Sequence, residues 1–196
     1  DPKALLKEYD AVLMAIGTHM GVRLPMEGND LPGALLNADF LQNAAMGKRT
    51  GMGKRVIVLG GGNVAFDCAR TAVRLGAEEI HLACLEAREN MLADDEEIEQ
   101  AQEEGIHVHP AHTFERICGT DHVTGVEFCN VKSFTFDENR RAVIEKEEGS
   151  NHVIEGDTVV FAVGQRAQIT ADAGLELGRG NSIAVKDESL ATSVDG

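Results

Sequence analysis

The sequence predicts an α/β fold, a parallel sheet with an inserted antiparallel β-meander, from two patterns. Over much of the chain, short apolar runs alternate with helix-like segments, as in "RVIVLG", the turn "GGN" and the amphipathic stretch at 64–75. That alternation is typical of βαβ units. Between residues 113 and 153, single apolar and polar residues alternate instead, and turn signals such as "DENR" separate the runs, which indicates antiparallel strands. The 196 residues suffice for one such domain and are too few for two ordinary ones.

The predicted elements begin with a buried parallel strand at 9–17 that ends in glycine. A loop with two prolines leads to a short helix, "ADFLQNAA", which Asp39 is placed to cap. The remaining parallel strands and helices are strand 55–60, helix 64–75, strand 79–86, helix 93–105, strand 106–110 and, after the meander, strand 157–164. A hairpin-like tail follows.

Charge and composition restrict the partners. The formal net charge of −15 disfavours nucleic acid and anionic membrane surfaces, because both attract clustered Lys and Arg. No apolar run approaches the roughly 20 residues of a membrane-spanning helix. We therefore expect neither a nucleic-acid nor a membrane partner. The four cysteines stand far apart without a C-x-x-C pair, which argues against disulfides and zinc ribbons and favours the cytoplasm.

A glycine-rich turn is the main functional motif. Gly60, Gly62 and Ala65 form G-x-G-x-x-A directly after a predicted strand and directly before a predicted helix. In this context Gly60 permits a tight turn, Gly62 lets a pyrophosphate approach the backbone, and Ala65 lets helix and strand pack closely. The motif predicts a Rossmann-like dinucleotide site. The alternative is a glycine turn that only connects strand to helix.

The end of the second strand of this unit is where the adenosine ribose of a dinucleotide lies. Glu86 follows Gly62 by 24 positions, close to the spacing of about 20 that is typical of the ribose-binding carboxylate. Its neighbour Leu85 is apolar, and Arg88 is the only cation nearby in the sequence. A carboxylate here accepts hydrogen bonds from the ribose hydroxyls and repels a 2′-phosphate. The alternative is an ordinary exposed loop charge.

Histidines cluster in the sequence at His107, His109 and His112, with His81 on the preceding strand. The H-x-H spacing on a strand places two rings on one face, which suits a metal. However, no cysteine or pair of carboxylates completes a ligand set, and Pro110 interrupts the run. We therefore interpret these residues as surface histidines and predict no metal site.

Three segments together resemble a known family. "VIVLGGGNVAFDCARTAVRLGA", "EEIEQAQEEGI" and "GDTVVFAVGQRA" are similar to the pyridine-nucleotide domain of the glutamate synthase small (beta) subunit family. That group includes the related flavin domain of dihydropyrimidine dehydrogenase and, more distantly, adrenodoxin reductase. The resemblance implies an FAD-dependent oxidoreductase in which NAD(P)H gives hydride to FAD. Electrons then pass through iron–sulfur clusters to a larger catalytic or iron–sulfur subunit.

The resemblance also implies the roles of individual residues, and it assigns none of them a catalytic role as acid, base or nucleophile. The phosphate-binding turn comprises Gly60, Gly61, Gly62, Asn63, Val64 and Ala65. A segment in which the backbone crosses near the nicotinamide, called the later crossing, comprises Ala162, Val163, Gly164 and Gln165. An earlier crossing, where the domain joins the FAD half, comprises Ala15 and Gly17. Residues 1–52 are thus expected to join the FAD-binding half, and residues 53–196 to form the NAD(P)-binding domain.

Two departures from the family pattern matter. The family carries an Arg-Arg pair where this chain has Leu85 and Glu86, so we expect NADH to be favoured over NADPH. The glycine motif that binds FAD and the cysteines that hold iron–sulfur clusters are missing, so we expect a fragment of a longer flavoprotein that is inactive alone. The competing hypothesis is a stand-alone nucleotide-binding module that senses NADH without turnover.

Overall fold

The computed structural model describes residues 2–138, 141–169 and 173–195. The chain divides into two compact units, one formed by residues 21–163 and the other by residues 1–20 with 164–196. The larger unit holds the parallel sheet and the meander. The functional division predicted between residues 52 and 53 concerns which cofactor each part serves, and it stays a prediction.

Four α-helices and eleven strands, with short 3-10 helices such as Arg88–Asn90 and Arg179–Asn181, make up the regular structure of the described residues. The helices are α1 (Pro2–Leu5), α2 (Asn37–Ala45), α3 (Asn63–Arg74) and α4 (Asp95–Glu103). The strands are β1 (Met20–Gly21), β2 (Ala34–Leu36), β3 (Arg55–Leu59), β4 (Glu79–Ala83), β5 (His107–His109), β6 (His112–Cys118), β7 (Gly125–Phe136), β8 (Ala142–Lys146), β9 (His152–Glu155), β10 (Thr158–Phe161) and β11 (Gln165–Arg166). A short pairing of β1 with β11 forms a separate two-stranded sheet.

The centre of the larger unit is a five-stranded sheet in the order β2-β10-β3-β4-β5, with every neighbouring pair parallel. All four residues of β10 are buried, as are the last four of β3. Continuous burial is expected of strands that are covered on both faces. The Rossmann-like parallel sheet predicted from the sequence is confirmed.

The two faces of the sheet contribute to separate cores. Because successive side chains of a strand point to opposite faces, Val56 and Val58 pack with buried residues of α2, α3 and α4. Ile57 and Leu59 pack instead with buried residues of β6 and β7. The sheet is therefore a middle layer between the helices and the meander.

The meander is built around the long strand β7. Its first part pairs antiparallel with β6 and β9, and its second part pairs antiparallel with β8. These pairings confirm the predicted antiparallel insertion. One end of the meander lies beside the carboxyl ends of β4 and β5, because the amide of His112 donates to the carbonyl of Cys84 over 2.8 Å.

The predicted strand at 9–17 is wrong. No residue from 9 to 19 belongs to a strand or helix, and Leu13 is 89% exposed. A buried strand needs hydrogen-bonding neighbours, and no described strand pairs with this segment. An apolar run was therefore insufficient to define a strand.

The predicted cap of α2 is also wrong. The residue before the helix is Leu36, which makes no side-chain capping bond, and Asp39 lies in the first turn. A carboxylate in the first turn is still favourable to the helix dipole. Separately, no helix among the described residues is long and apolar enough to cross a membrane.

Candidate dinucleotide-binding site

The turn between β3 and α3 contains two crowded glycines. Gly60 has a φ of +137°, and a Cβ there would lie 2.4 Å from the carbonyl oxygen of Ala162. A Cβ on Gly61 would lie 2.7 Å from the Cβ of Cys84. These two positions need glycine because the backbone passes closely over β10 and the end of β4.

Gly62, the third glycine, borders open space. It precedes the first residue of α3 with φ −94° and ψ 172°, and no atom lies within 4 Å of the place where its Cβ would be. Its backbone conformation is open to any residue. The glycine is therefore not required by the fold, and the space beside it is available to a ligand.

The backbone N–H groups of residues 61–64 lie at the start of α3, around Gly62. Within the described residues, no hydrogen bond is made by the backbone amides of Gly61, Gly62, Asn63 and Val64. Such groups carry the positive end of the helix dipole and suit an anion. Together with the space at Gly62, they fit the pyrophosphate of a dinucleotide.

Asn63 fastens the start of α3 to the start of α4. Its side-chain amide donates to the carboxylate of Asp94 over 3.2 Å, and the Asp94 backbone amide donates to the Asn63 side-chain oxygen over 3.1 Å. Asp94 was not predicted from the sequence as part of the site. No local signal marks it, because the contact joins residues 31 positions apart.

Behind the turn, Ala65 is fully buried in the core shared by the sheet and the helices. Its amide donates to the carbonyl of Gly62 over 2.8 Å. The small side chain permits the close approach of helix and strand that the motif predicts. The structure thus brings Gly60, Gly61, Gly62, Asn63, Val64 and Ala65 together in one turn.

Glu86 lies at the end of β4, next to this turn. Its Oε2 atom is 3.4 Å from the position that a Cβ on Gly61 would take, and its side chain is partly buried. Its carbonyl accepts a 2.8 Å hydrogen bond from the amide of Ala111. The carboxylate is therefore placed beside the glycine turn, as a ribose-binding residue requires.

Arg88, the other residue predicted here, is engaged elsewhere. Its guanidinium lies 3.1 Å from the carboxylate of Asp95, with the two side chains 41% and 84% exposed. Exposed ion pairs of this kind are weak. The pair nevertheless directs the arginine toward α4 in this structure.

The later crossing, residues 162–165, starts beside the glycine turn between β3 and α3. The Ala162 amide donates to the carbonyl of Leu59 over 2.8 Å, which continues the β10–β3 pairing up to Gly60. In the smaller unit, the hydroxyl of Thr18 donates to the side-chain oxygen of Gln165 over 3.1 Å. The residue after Gly17 thus contacts the later crossing. Any role of Ala15, Gly17, Val163, Gly164 and Gln165 toward a nicotinamide stays a prediction.

The histidines form a ladder of ring contacts, which we call the histidine ladder: His107, His81, His109, His112 and His152. Successive ring centroids lie 5.1 to 5.6 Å apart, and His81 Nδ1 is 2.9 Å from His109 Nε2. Burial, followed by the neighbouring histidines, lowers the pKa of His109 to about 4. The interpretation as surface histidines is therefore too simple, because four of the five rings are partly buried.

The thiols of Cys68 and Cys84 lie in the buried core. Burial raises the pKa of the Cys68 and Cys84 thiols to about 12, so both are protonated and unreactive at neutral pH. Within residues 2–138, 141–169 and 173–195, no group of three or more His, Cys, Asp or Glu side chains is placed to hold a metal ion.

Comparison with known proteins identifies relatives of the whole chain. The family model of the pyridine nucleotide-disulphide oxidoreductases matches residues 4–196. The beta subunit of an NADPH-Fe(3+) oxidoreductase from Geobacter sulfurreducens is 37% identical over 195 residues, covering 93% of this chain and 28% of that protein. A glutamate synthase (NADPH) small chain from Halomonas elongata is 36% identical over 170 residues, covering 82% of this chain and 36% of that protein.

A solved structure agrees with the fold. FprA from Mycobacterium tuberculosis, in complex with NADPH, has a TM-score of 0.69 at 18% identity and covers 97% of this chain and 56% of its own. The chain spans about a third of the length of the two relatives above. These matches confirm the resemblance to the glutamate synthase small subunit and its oxidoreductase relatives. The chain belongs to the pyridine nucleotide-disulphide oxidoreductase family.

Proposed function

We propose that the chain is the NAD(P)H-binding domain of an FAD-dependent oxidoreductase of the glutamate synthase small-subunit type. In this proposal, hydride passes from NAD(P)H to FAD and electrons pass onward to an iron–sulfur partner. The observation that carries it is the open space at Gly62 beside four backbone N–H groups that make no hydrogen bond within the described residues. A turn that only connected strand to helix would not need glycine there.

The residues of the chain bind and orient the dinucleotide. When bound, the nicotinamide cofactor supplies a hydride and FAD accepts it. The amides of Gly61 to Val64 would donate to the pyrophosphate, and Glu86 would accept hydrogen bonds from the adenosine ribose. The crossing at 162–165, with Ala15 and Gly17, is assigned to the nicotinamide end by family resemblance. No side chain of the chain moves a proton in this proposal.

NADH is the proposed cofactor, even though the names of both relatives above specify NADPH. Glu86 would accept from the 2′- and 3′-hydroxyls of NADH, whereas its charge would oppose the 2′-phosphate of NADPH. The nearby Arg88 is paired with Asp95 rather than directed at the turn. The chain is thus proposed to differ in cofactor preference from those relatives.

A larger partner and a cytoplasmic location complete the proposal. The two relatives are named as a beta subunit and a small chain, which supports assembly with other subunits. The four cysteines lie apart, and Cys68, Cys84 and Cys129 are buried as free thiols. Iron–sulfur clusters and FAD are therefore assigned to other regions of the protein or its partner.

Gly62→Val tests the proposal. Because the site is open and φ is −94°, the variant should remain folded, with only the small loss of stability that valine causes at a helix N-cap. The branched side chain would occupy the pyrophosphate position, and we expect NADH affinity to fall at least about 100-fold. Isothermal titration calorimetry measures the affinity. Unchanged NADH binding in a folded variant would show that the turn is not the phosphate site.

A further inference from the structure

A cavity of about 270 Å³ lies next to Glu86, on the side where the meander meets the end of β4. Its walls come from the segment after β4, from Ala111 and from residues Val131 to Phe134 of β7. The wall from β7 belongs to the insertion rather than to the Rossmann-like unit. No part of the meander was predicted from the sequence to belong to the site.

Backbone hydrogen bonds hold the two walls of this cavity in place. The amide of Ala111 donates to the carbonyl of Glu86, and the amide of Val131 donates to the carbonyl of Ala111, each over 2.8 Å. Ala111 itself has a φ of +57°, an uncommon conformation for alanine. The position of β7 relative to Glu86 is therefore defined by the fold.

Lys132 occupies a β-bulge in this wall. Val131 pairs with Lys146 of β8 and Ser133 pairs with the preceding residue Glu145, so Lys132 has no residue opposite it. A bulge breaks the strict alternation of side chains and redirects one of them, and bulges occur often beside functional sites. Here four successive residues of β7 border the cavity.

Lys132 differs in charge from the other ionisable residues that line the cavity. Among the lining residues, which all lie in the described part of the chain, Glu86 and Glu89 are the acids and Lys132 is the only cation. Its side chain makes no hydrogen bond or ion pair with the described residues. The neighbouring Lys146, by contrast, pairs with Glu115 at 2.7 Å.

We infer that this cavity receives the adenosine end of the dinucleotide and that Lys132 determines how strongly the site discriminates against NADPH. The inference rests on the proposed function. Glu86 and Glu89 disfavour a 2′-phosphate, whereas the Lys132 ammonium, with three N–H donors, offsets part of that repulsion. The cofactor preference of the chain is thus a balance between a Rossmann-like carboxylate and a lysine on the inserted meander.

Lys132→Met tests this inference in the full 196-residue chain. We expect NADPH affinity to fall about tenfold, because one charge-assisted contact is lost, and NADH affinity to change by less than about threefold. Lys146→Met is the matched control, since that lysine lies on the paired strand outside the cavity lining. The control should leave the ratio of the two affinities within about twofold of the wild type. Calorimetric titration with NADH and NADPH gives all six dissociation constants.

The outcomes separate the two proposals. An equal loss of both nucleotides in Lys132→Met, no change in either, or the same shift in Lys146→Met would overturn the role of Lys132 while the wild type still binds. A wild type that binds neither NADH nor NADPH would contradict the proposed function, and this inference with it.

Discussion

The glycine turn and the end of β4 are the two halves of the candidate site, and they differ in what they present to a ligand. The turn offers backbone N–H groups and open space at Gly62. The end of β4 offers charged side chains, Glu86 from the Rossmann-like unit and Lys132 from the meander. The pyrophosphate is common to NADH and NADPH, whereas the 2′-phosphate is not. Changes in the turn should therefore alter binding of both cofactors, and changes at the strand end should alter their ratio.

The largest effect is expected within the turn, where neighbouring glycines should respond differently. Gly60→Ala forces a Cβ to within 2.4 Å of a carbonyl oxygen at a φ of +137°. We expect the free energy of unfolding to fall by about 2–4 kcal/mol. Gly62→Ala is the control and should change it by less than about 1 kcal/mol, the typical cost of alanine at a helix N-cap. Urea unfolding measures both, and equal losses at the two positions would refute this account of the turn.

Substitutions at the end of β4 should change the selectivity between NADH and NADPH. Replacing Leu85 and Glu86 together with arginine removes the repelling carboxylate and adds two guanidinium groups that match phosphate geometry. We expect the ratio of NADPH to NADH affinity to rise about 100-fold, narrowing or reversing the preference. Leu75→Arg with Glu78→Arg makes the same change of charge after α3 and should leave the ratio nearly unchanged. If both double variants behaved alike in calorimetry, net charge rather than the strand end would set the preference.

Acid should weaken the fold through the histidine ladder beside the strand end. The pKa of His109 is lowered to about 4 by burial and by the other histidines, so between that value and about 6.5 the unfolded chain binds more protons. The contribution of His109 to the free energy of unfolding is thus complete above pH 6.5, and it is lost as the pH falls toward 4. Between pH 7 and 5 we expect a loss of about 1 kcal/mol, since solvent screens part of the effect.

His109→Gln is the control for this pH dependence. In this variant the free energy of unfolding should change much less between pH 7 and 5 than it does in the wild type. Urea unfolding at each pH measures it. Carboxylates with lowered pKa values, such as Glu104 and Glu127, contribute to the pH dependence of stability only at lower pH. A wild-type slope that survives in His109→Gln would show that other groups are responsible.

The smallest effect is expected at Arg88. Because this arginine is paired with Asp95 on the exposed surface, Arg88→Met should change NADPH affinity by less than about threefold. A tenfold loss specific to NADPH would mean that Arg88 leaves Asp95 and binds the 2′-phosphate. Fluorescence titration of bound NADPH distinguishes these results.

Local sequence predicted the parts of the molecule that local physics decides. The run at 157–164 became the buried strand β10 because β2 and β3 flank it. The similar run at 9–17 did not become a strand, because no described strand pairs with it. The motif spacing predicted the turn, but the crowding of Gly61 against Cys84 depends on the distance to β4.

Contacts between distant segments explain what sequence reasoning missed. Lys132 is 46 positions beyond Glu86 in the sequence, and only the bulge and the hydrogen bonds through Ala111 bring their segments to one cavity. The histidine ladder likewise joins β4 and β5 with the start of β6 and with β9. No sequence motif marks Lys132, and the H-x-H spacing indicated only that two rings share a face, because the contacts of the ladder arise from strand pairing.

Titration of the wild-type chain with NADH and NADPH, at one fixed salt concentration, tests the central claim most directly. We expect both to bind at the glycine turn and NADH to bind about 10- to 100-fold more tightly, because the Glu86 carboxylate would accept hydrogen bonds from the ribose hydroxyls. Tighter binding of NADPH would contradict the assignment of Glu86, and binding of neither would contradict the dinucleotide site itself.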